Sequence, residues 1–157
     1  METTTNAMRL LRQAGIEFGE SSYEVDENDL SGVHAAEMLG VEVERVFKTL
    51  VTRTDKGHLY VFCIPAAEEL DLKKCAAAVG EKKLEMVHVK ELPALTGYIR
   101  GGCSPIGMKK KFPTVIDETA LLSDTIYVSA GMRGRQIIIA PETLANFVSA
   151  RFADIIK

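Results

Sequence analysis

FKTLVTRTDKGHLYVFCIP, residues Phe47 to Pro65, is the stretch whose reading decides the fold. Its two ends, Phe47 to Arg53 and His58 to Pro65, are rich in β-branched and aromatic residues, and Thr54, Asp55, Lys56 and Gly57 separate them. Such side chains suit a pleated, half-buried surface, and a short polar connection ending in glycine turns the chain back on itself. The stretch predicts a β-hairpin. Strand alternation places Lys48 and Leu50 on one side of its first strand and Phe47, Thr49 and Val51 on the other. Lys48 is the least expected charge here. Its stem can lie along apolar surface with the ammonium in water, or the cation can line a pocket where weaker solvation strengthens its hold on a substrate oxygen or phosphate.

Outward from the hairpin, helices and strands alternate irregularly. Asn6 to Ala14 carries Met8, Leu11 and Ala14 near one helical face, with Gly15 as a stop. Phe18 to Val25 predicts a strand, and Ser31 caps a short helix through Val33, Ala36 and Leu39 that ends at Gly40. Beyond the hairpin, Asp71 caps a helix through Leu72, Cys75, Ala76 and Val79 to Gly80, and His88 to Leu95 predicts another. GYIRGGCSPIGMKKKFP, Gly97 to Pro113, holds four glycines and two prolines and is expected to be a long loop of tight turns. Strands are expected at Thr114 to Asp117, Thr125 to Ser129 and Gln136 to Ala140, the last two joined by the turn Ala130 to Gly134. Pro141 then opens a final helix through Leu144 and Val148. This is an α+β pattern with mostly hairpin-connected strands and no βαβ alternation or internal repeat.

With 157 residues, 46% hydrophobic and 26% charged, the chain predicts one globular domain over residues 1–157. The polar start, Met1 to Asn6, does not resemble a secretory signal, and no stretch approaches the roughly 18 apolar residues of a membrane span, so the cytoplasm is expected. Cys63, Cys75 and Cys103 are odd in number and lack CxxC spacing, which predicts free thiols and no metal site. The formal charge of −3 disfavours a nucleic-acid partner, but its distribution is uneven. Glu17 to Asp29 contains six acids and no base, whereas Arg100 to Lys111 contains four bases and no acid. A local basic patch permits an RNA partner without requiring one.

Catalytic chemistry is sparse. Gly101 to Gly107, GGCSPIG, matches neither GxGxxG nor the Walker pattern; it is either a structural turn or a loop whose N–H groups grip an anion or a carbonyl. His34, His58 and His88 read as surface histidines, and no serine or cysteine sits in a GxSxG-like elbow. Cys103 has no acid or histidine near it in sequence and reads as a passive small residue. Lys109, Lys110 and Lys111 form either a solvated face or a contact to RNA backbone.

Several segments together resemble the YbaK/EbsC group of bacterial Cys-tRNA(Pro) deacylases, which is related to the editing insertion of bacterial prolyl-tRNA synthetases. They are VFKTLV (Val46 to Val51), ELDLKK (Glu69 to Lys74), KKLEM (Lys82 to Met86), TGYIRGGCSPIGMKKKFPTVID (Thr96 to Asp117), TIYVSAGMRGRQI (Thr125 to Ile137) and FADI (Phe152 to Ile155), in the family's order. The resemblance implies a single compact domain with a mixed, mostly antiparallel, barrel-like sheet surrounded by helices, and a pocket for the aminoacylated 3′ end of a mischarged tRNA. It places Lys48 at the catalytic centre. It assigns substrate binding to Tyr23, Thr49, Gly101, Gly102, Cys103, Ser104, Ser129 and Gly131, and tRNA-backbone contact to Lys109, Lys110, Lys111 and Arg133. No cofactor, metal, membrane or DNA is implied; a transient complex with prolyl-tRNA synthetase is. Two positions depart from some relatives, Ala130 in place of glycine and Gln136 in place of an acid. In the reaction implied, the thiol of the misattached cysteine attacks its own ester, so no protein nucleophile is needed. Editing of alanyl- or seryl-tRNA, or a non-catalytic aminoacyl-tRNA-binding module, are the alternatives.

Overall fold

The computed structural model of the chain describes residues 4–157. In chain order its elements are α1 (Asn6–Gln13), β1 (Gly19–Ser22), α2 (Gly32–Leu39), β2 (Phe47–Arg53), β3 (Leu59–Pro65), α3 (Leu72–Val79), β4 (Glu85–Met86), α4 (Leu92–Thr96), β5 (Thr114–Asp117), β6 (Ile126–Ser129), β7 (Arg135–Ile139), α5 (Pro141–Val148) and β8 (Arg151–Ala153). The caps form where the sequence puts them. Ser31 accepts from His34 N at the start of α2, Asp71 accepts from Lys73 N and Lys74 N at the start of α3, and Gly40 and Gly80 close the two helices. None of the described helices is long and apolar enough to cross a membrane.

The hairpin β2–β3 is the centre of the molecule, paired from Phe47↔Pro65 to Arg53↔Leu59. It belongs to a five-stranded sheet, β4-β2-β3-β5-β8; a three-stranded sheet, β1-β7-β6, lies beside it. Val46 and Tyr127 form a parallel bridge between the two, and the sheets do not close into a barrel. Val61, Phe62, Cys63 and Ile64 of β3 are all buried, because both faces of this strand are covered. Phe62 and Ile64 pack toward α3 with Leu70, Cys75 and Ile155. On the opposite face, Cys63 and Phe47 join Met8 and Leu11 of α1, Ile137 of β7 and Leu144 of α5. The expected alternation of Phe47 and Leu50 holds, with Leu50 packed on the α3 side.

Several elements differ from expectation, and the short strands β4 and β8 have no counterpart in the sequence reading. The first strand is shorter than Phe18 to Val25, since β1 extends only as far as its partner, from Gly19↔Ile138 to Ser22↔Arg135. The helix expected from His88 begins as a 3₁₀ turn, Val89–Glu91, because Pro93 has no N–H to return to the preceding turn. Only β2–β3 and β6–β7 are hairpins among the long strands; β3–β5 and β5–β8 pair in parallel across crossovers.

The parallel edge is held by a buried carboxylate. Asp117 Oδ1 accepts from Ile155 N at 3.0 Å, and Oδ2 accepts from Thr119 N at 3.1 Å and Thr119 Oγ1 at 2.5 Å. Removing it leaves a buried amide unsatisfied and uncaps the 3₁₀ turn Glu118–Leu122. Asp117→Ala is therefore expected to lower stability by roughly 2–4 kcal/mol in urea unfolding, with the m-value unchanged.

Candidate active site

The cavity exists because β2 has an interrupted outer edge. Val46, just before the strand, bridges to β6, and Thr52 and Arg53 at its far end pair with β4. Between these points no strand joins it. Val61 N donates to Pro113 O on the β5 side, so the opposite residues, Thr49 and Val51, turn their backbone groups away from β3. Val51 O accepts from Val87 N at 3.1 Å, and Thr49 N–H and C=O face the gap. A cavity of about 240 Å³ fills this gap, walled by β2, by Ser129 and Gln136 of the β6–β7 pair, and by Gly101 and Cys103 of the long loop.

Lys48 lines this cavity, half-buried, with no hydrogen bond or ion pair among the described residues. Burial holds its pKa below the usual lysine value, and the charges of Glu69 and Glu68 partly oppose that shift. Of the other residues singled out by sequence, Tyr23, Thr49, Gly101, Cys103 and Ser129 line the same cavity. Burial raises the Tyr23 pKa against the Gly134 backbone and Gln136 amide, so its hydroxyl stays protonated. Thr49 Oγ1 lies 3.7 Å from Cys63 Sγ. Burial pushes the Cys103 thiol up to about 12, which removes it as a thiolate nucleophile.

Gly102, Ser104 and Gly131 build the wall from behind. Gly102 N donates to Ile99 O at 3.0 Å, while Gly101 and Cys103 on either side of it line the cavity. A Cβ on Gly102 would sit 3.1 Å from Met132 Cα and Arg133 N, so only glycine lets the loop lie against the β6–β7 turn. Ser104 is fully buried and its Oγ accepts from Ile106 N. Gly131, at φ 102°, donates its N–H to Ser129 Oγ and packs against the Tyr98 ring. The lysine run does not border the cavity: Lys109 Nζ reaches Ala94 O, and Lys110 and Lys111 flank a separate groove beside Phe112. Arg133 also lies outside the cavity lining; its Nε donates to the backbone O of Arg100, which is part of it, at 2.9 Å.

Sequence reasoning left Arg100, Gln136 and Ser31 out of the site, yet all three line the cavity. Arg100 was visible as a base beside the glycine loop; Gln136 carried a signal only as a departure from relatives. Gln136 is buried, and its Oε1 has no hydrogen-bond partner. Ser31 sits in a Ser–Asp–His cluster of the wrong order for catalysis. Its Oγ donates to Asp29 Oδ1 at 2.7 Å, while His34 Nδ1 lies 3.7 Å from Asp29 Oδ2, so no imidazole is placed to take the serine proton. Among the described residues the cavity wall thus contains two cations, Lys48 and Arg100, and no Asp, Glu or His. It can hold an oxygen-rich group and stabilise developing negative charge, but it offers no carboxylate or imidazole base.

A family model for the aminoacyl-tRNA editing domain matches residues 29–147, which takes in β2, the glycine loop and the β6–β7 pair. The chain belongs to this family. Along 151 residues the editing domain is 52% identical to an Enterococcus faecalis protein provisionally named Cys-tRNA(Pro)/Cys-tRNA(Cys) deacylase EbsC, covering 96% of this chain and 92% of that one. It is 24% identical over 121 residues to a stretch making up 21% of the proline–tRNA ligase of Thermosipho melanesiensis. Among solved structures, one described as a trans-editing enzyme for prolyl tRNA synthetase aligns with TM-score 0.84 and 26% identity over 99% of both chains. The hypothetical protein APE2540 shares the fold at TM-score 0.86 and 22% identity, over 95% of this chain and 97% of that one.

An unpartnered, half-buried cation costs stability that an apolar side chain of similar length does not. Because the folded-state pKa of Lys48 is depressed below 10.5, the unfolded editing domain binds more protons in the interval just beneath that value, and stability rises with pH there. Lys48→Met is expected to unfold at a higher temperature than wild type at neutral pH. Its advantage should shrink as pH climbs toward 10.5, as read from Tm across a pH series.

Proposed function

We propose that this editing domain removes cysteine from Cys-tRNA(Pro), and that the substrate's own thiol performs the attack. The observation that carries the reading is the composition of the cavity wall: among the described residues it holds Lys48, which has no hydrogen bond or ion pair, and no carboxylate or imidazole base. The cysteinyl thiol sulfur attacks the ester carbonyl carbon. A C–S bond forms, the C–O bond to the terminal ribose breaks, and the thiol proton passes to the leaving ribose oxygen. The products are tRNA with a free terminal hydroxyl and a cyclic thioester of cysteine, which water then opens. An intramolecular attack needs the reacting atoms held in position more than it needs a base.

In this scheme Lys48 holds substrate oxygens, and the N–H groups of Gly101 and Cys103 meet the oxyanion as it develops. Tyr23 and Ser129 orient the aminoacyl group from the opposite wall. Selection of the tRNA body is supplied by transient association with prolyl-tRNA synthetase. The likeness to a structure described as a trans-editing enzyme for that synthetase supports this partner.

The test is release of amino acid from Cys-, Ala- and Ser-tRNA(Pro) by wild type and Lys48→Ala. Cys-tRNA(Pro) is expected to be cleaved, with kcat falling by about 10²–10³ in the variant. Ala-tRNA(Pro), which has no thiol, is expected to stay intact. Cleavage of Ala-tRNA(Pro) at a comparable rate would overturn the thiol-assisted route, and equal rates for wild type and Lys48→Ala would remove Lys48 from it.

A further inference from the structure

The cavity wall is unbalanced in charge. Its two ionised side chains, Lys48 and Arg100, are both cations, and among the described residues no carboxylate joins them there. Carboxylates on the elements that frame the wall are engaged elsewhere. Glu85 and Glu91 pair with Arg53, Glu69 pairs with Lys157 Nζ at 3.1 Å, and Asp29 accepts from Ser31 N and Oγ beside His34. Glu69 and Glu68 act on Lys48 only as charges outside the wall, and Arg133 adds a further cation behind Arg100. The other polar side chains of the wall are neutral: Ser31, Thr49, Ser129 and Gln136, with the Tyr23 phenol and Cys103 thiol kept protonated by burial. Gln136 is the most deeply buried of these, 6% exposed, and its Oε1 has no hydrogen-bond partner among the described residues. A buried acceptor without a donor is costly, and a ligand N–H can satisfy it. The last torsion of a glutamine is soft, so the carboxamide can turn either its oxygen or its NH₂ toward a ligand.

We propose that the cavity takes its aminoacyl group with the α-amine uncharged, and that Gln136 is the residue that selects this form. The inference rests on the reading above that the cavity receives the aminoacyl end; it concerns which protonation state is bound rather than how the ester breaks. An α-ammonium is a cation that only donates. Lys48 and Arg100 repel it, and a partly desolvated wall screens that repulsion less than water does. Hydroxyl and amide oxygens accept from an ammonium without cancelling its charge. A neutral amine has a lone pair as well as N–H groups. It accepts from Lys48 or a hydroxyl and donates to Gln136 Oε1, so both kinds of group find partners. Gln136 decides the outcome because a carboxylate of the same length at this position would supply the counter-charge that an ammonium lacks. A free α-amine has an ordinary pKa of roughly 8. Near neutral pH the cavity therefore draws on the minority form, and binding weakens as pH falls below that value.

The test uses labelled acceptor-stem hairpin RNAs whose 3′ adenosine carries an amide that cannot be cleaved in place of the ester. An alanyl amide has the α-amine and no thiol, a propionyl amide lacks the amine, and the unacylated hairpin is the reference. Affinities are read by anisotropy at fixed salt between about pH 6 and pH 9. Relative to the reference, the alanyl amide is expected to lose affinity by up to about tenfold per pH unit below roughly pH 8, while the propionyl amide stays level. A ¹⁵N label on the α-amine is expected to titrate about one pH unit or more lower in the complex than in free RNA. Gln136→Glu is expected to flatten or invert the pH dependence. Gln136→Leu, which needs no buried carboxylate to fold, is expected to keep that dependence, weaken the alanyl amide by about fivefold to tenfold and spare the propionyl amide. Alanyl binding that is level or strengthens toward acid, or a label whose midpoint does not move, would overturn the inference while tighter binding of acylated hairpins leaves the cavity reading standing. An alanyl amide that Gln136→Leu leaves unaffected would remove Gln136 from the selection. Acylated hairpins that bind no more tightly than the unacylated one would instead remove the aminoacyl group from the cavity, and the reading beneath the inference with it.

Discussion

The site depends on one interruption in backbone hydrogen bonding, the stretch of β2 between the Val46–Tyr127 bridge and the Thr52–Met86 pair. An unpaired strand edge is a hazard in a folded protein, because its free N–H and C=O groups invite another strand. Here the interruption is short, bracketed by pairing at both ends and roofed by the glycine loop. The gap is therefore too narrow for a foreign strand and wide enough for a small ligand. Thr49 contributes its backbone to the gap and its hydroxyl to Cys63, while Lys48 and Leu50 turn to the α3 side of the strand. Residues from both faces of one strand can meet one cavity only at such an edge.

The opposite wall is rigid for a different reason. The loop 97–113 has no regular structure, yet it is pinned by close backbone approach rather than by apolar bulk. Gly102 rests on the β6–β7 turn, Gly131 rests on the Tyr98 ring, and the Tyr98 hydroxyl donates to Ile106 O. Each contact would be lost to a Cβ or to a missing hydroxyl. The same loop spends its polar groups internally: Gly102 N–H donates to Ile99 O and Ser104 Oγ accepts from Ile106 N, so this glycine-rich loop retains fewer groups for a ligand. The glycines shape this wall more than they line it.

Local features were legible in the sequence, and long-range pairings were not. The caps at Ser31 and Asp71, the hairpin and the Pro141 helix each depend on residues within a few positions of one another. The parallel pairs β3–β5 and β5–β8 join segments separated by whole helices, and a four-residue strand carries no mark of its partner. β8 was hidden further because α5 ends at Ser149, which adopts φ 57° without being the glycine that would announce a stop. At the site, Lys48 stood out because a charge in an apolar run is anomalous by itself. Arg100 did not, since a lone base in a loop is ordinary until the fold sets it on a cavity. Lys109 to Lys111 drew attention by charge density, which says nothing about the side of the molecule they occupy.

Gln136 shows how this chain completes the electrostatics of its cavity. It is buried beside Tyr23, where a carboxylate would be costly to desolvate and would neutralise much of the field of Lys48. A carboxamide keeps the hydrogen-bonding shape and removes the charge, so the acids that act on Lys48 among the described residues, Glu69 and Glu68, do so from outside the cavity wall. The cation is thus left underpaired, and under the proposed reaction its interaction is held for the negative charge that develops on an ester oxygen. With the polar side chains of the wall confined to cations, hydroxyls, an amide and a protonated thiol, it favours no attack that needs a protein base. Under the proposed reaction, selectivity follows from chemistry rather than size: the aminoacyl group that brings its own nucleophile is the one that reacts.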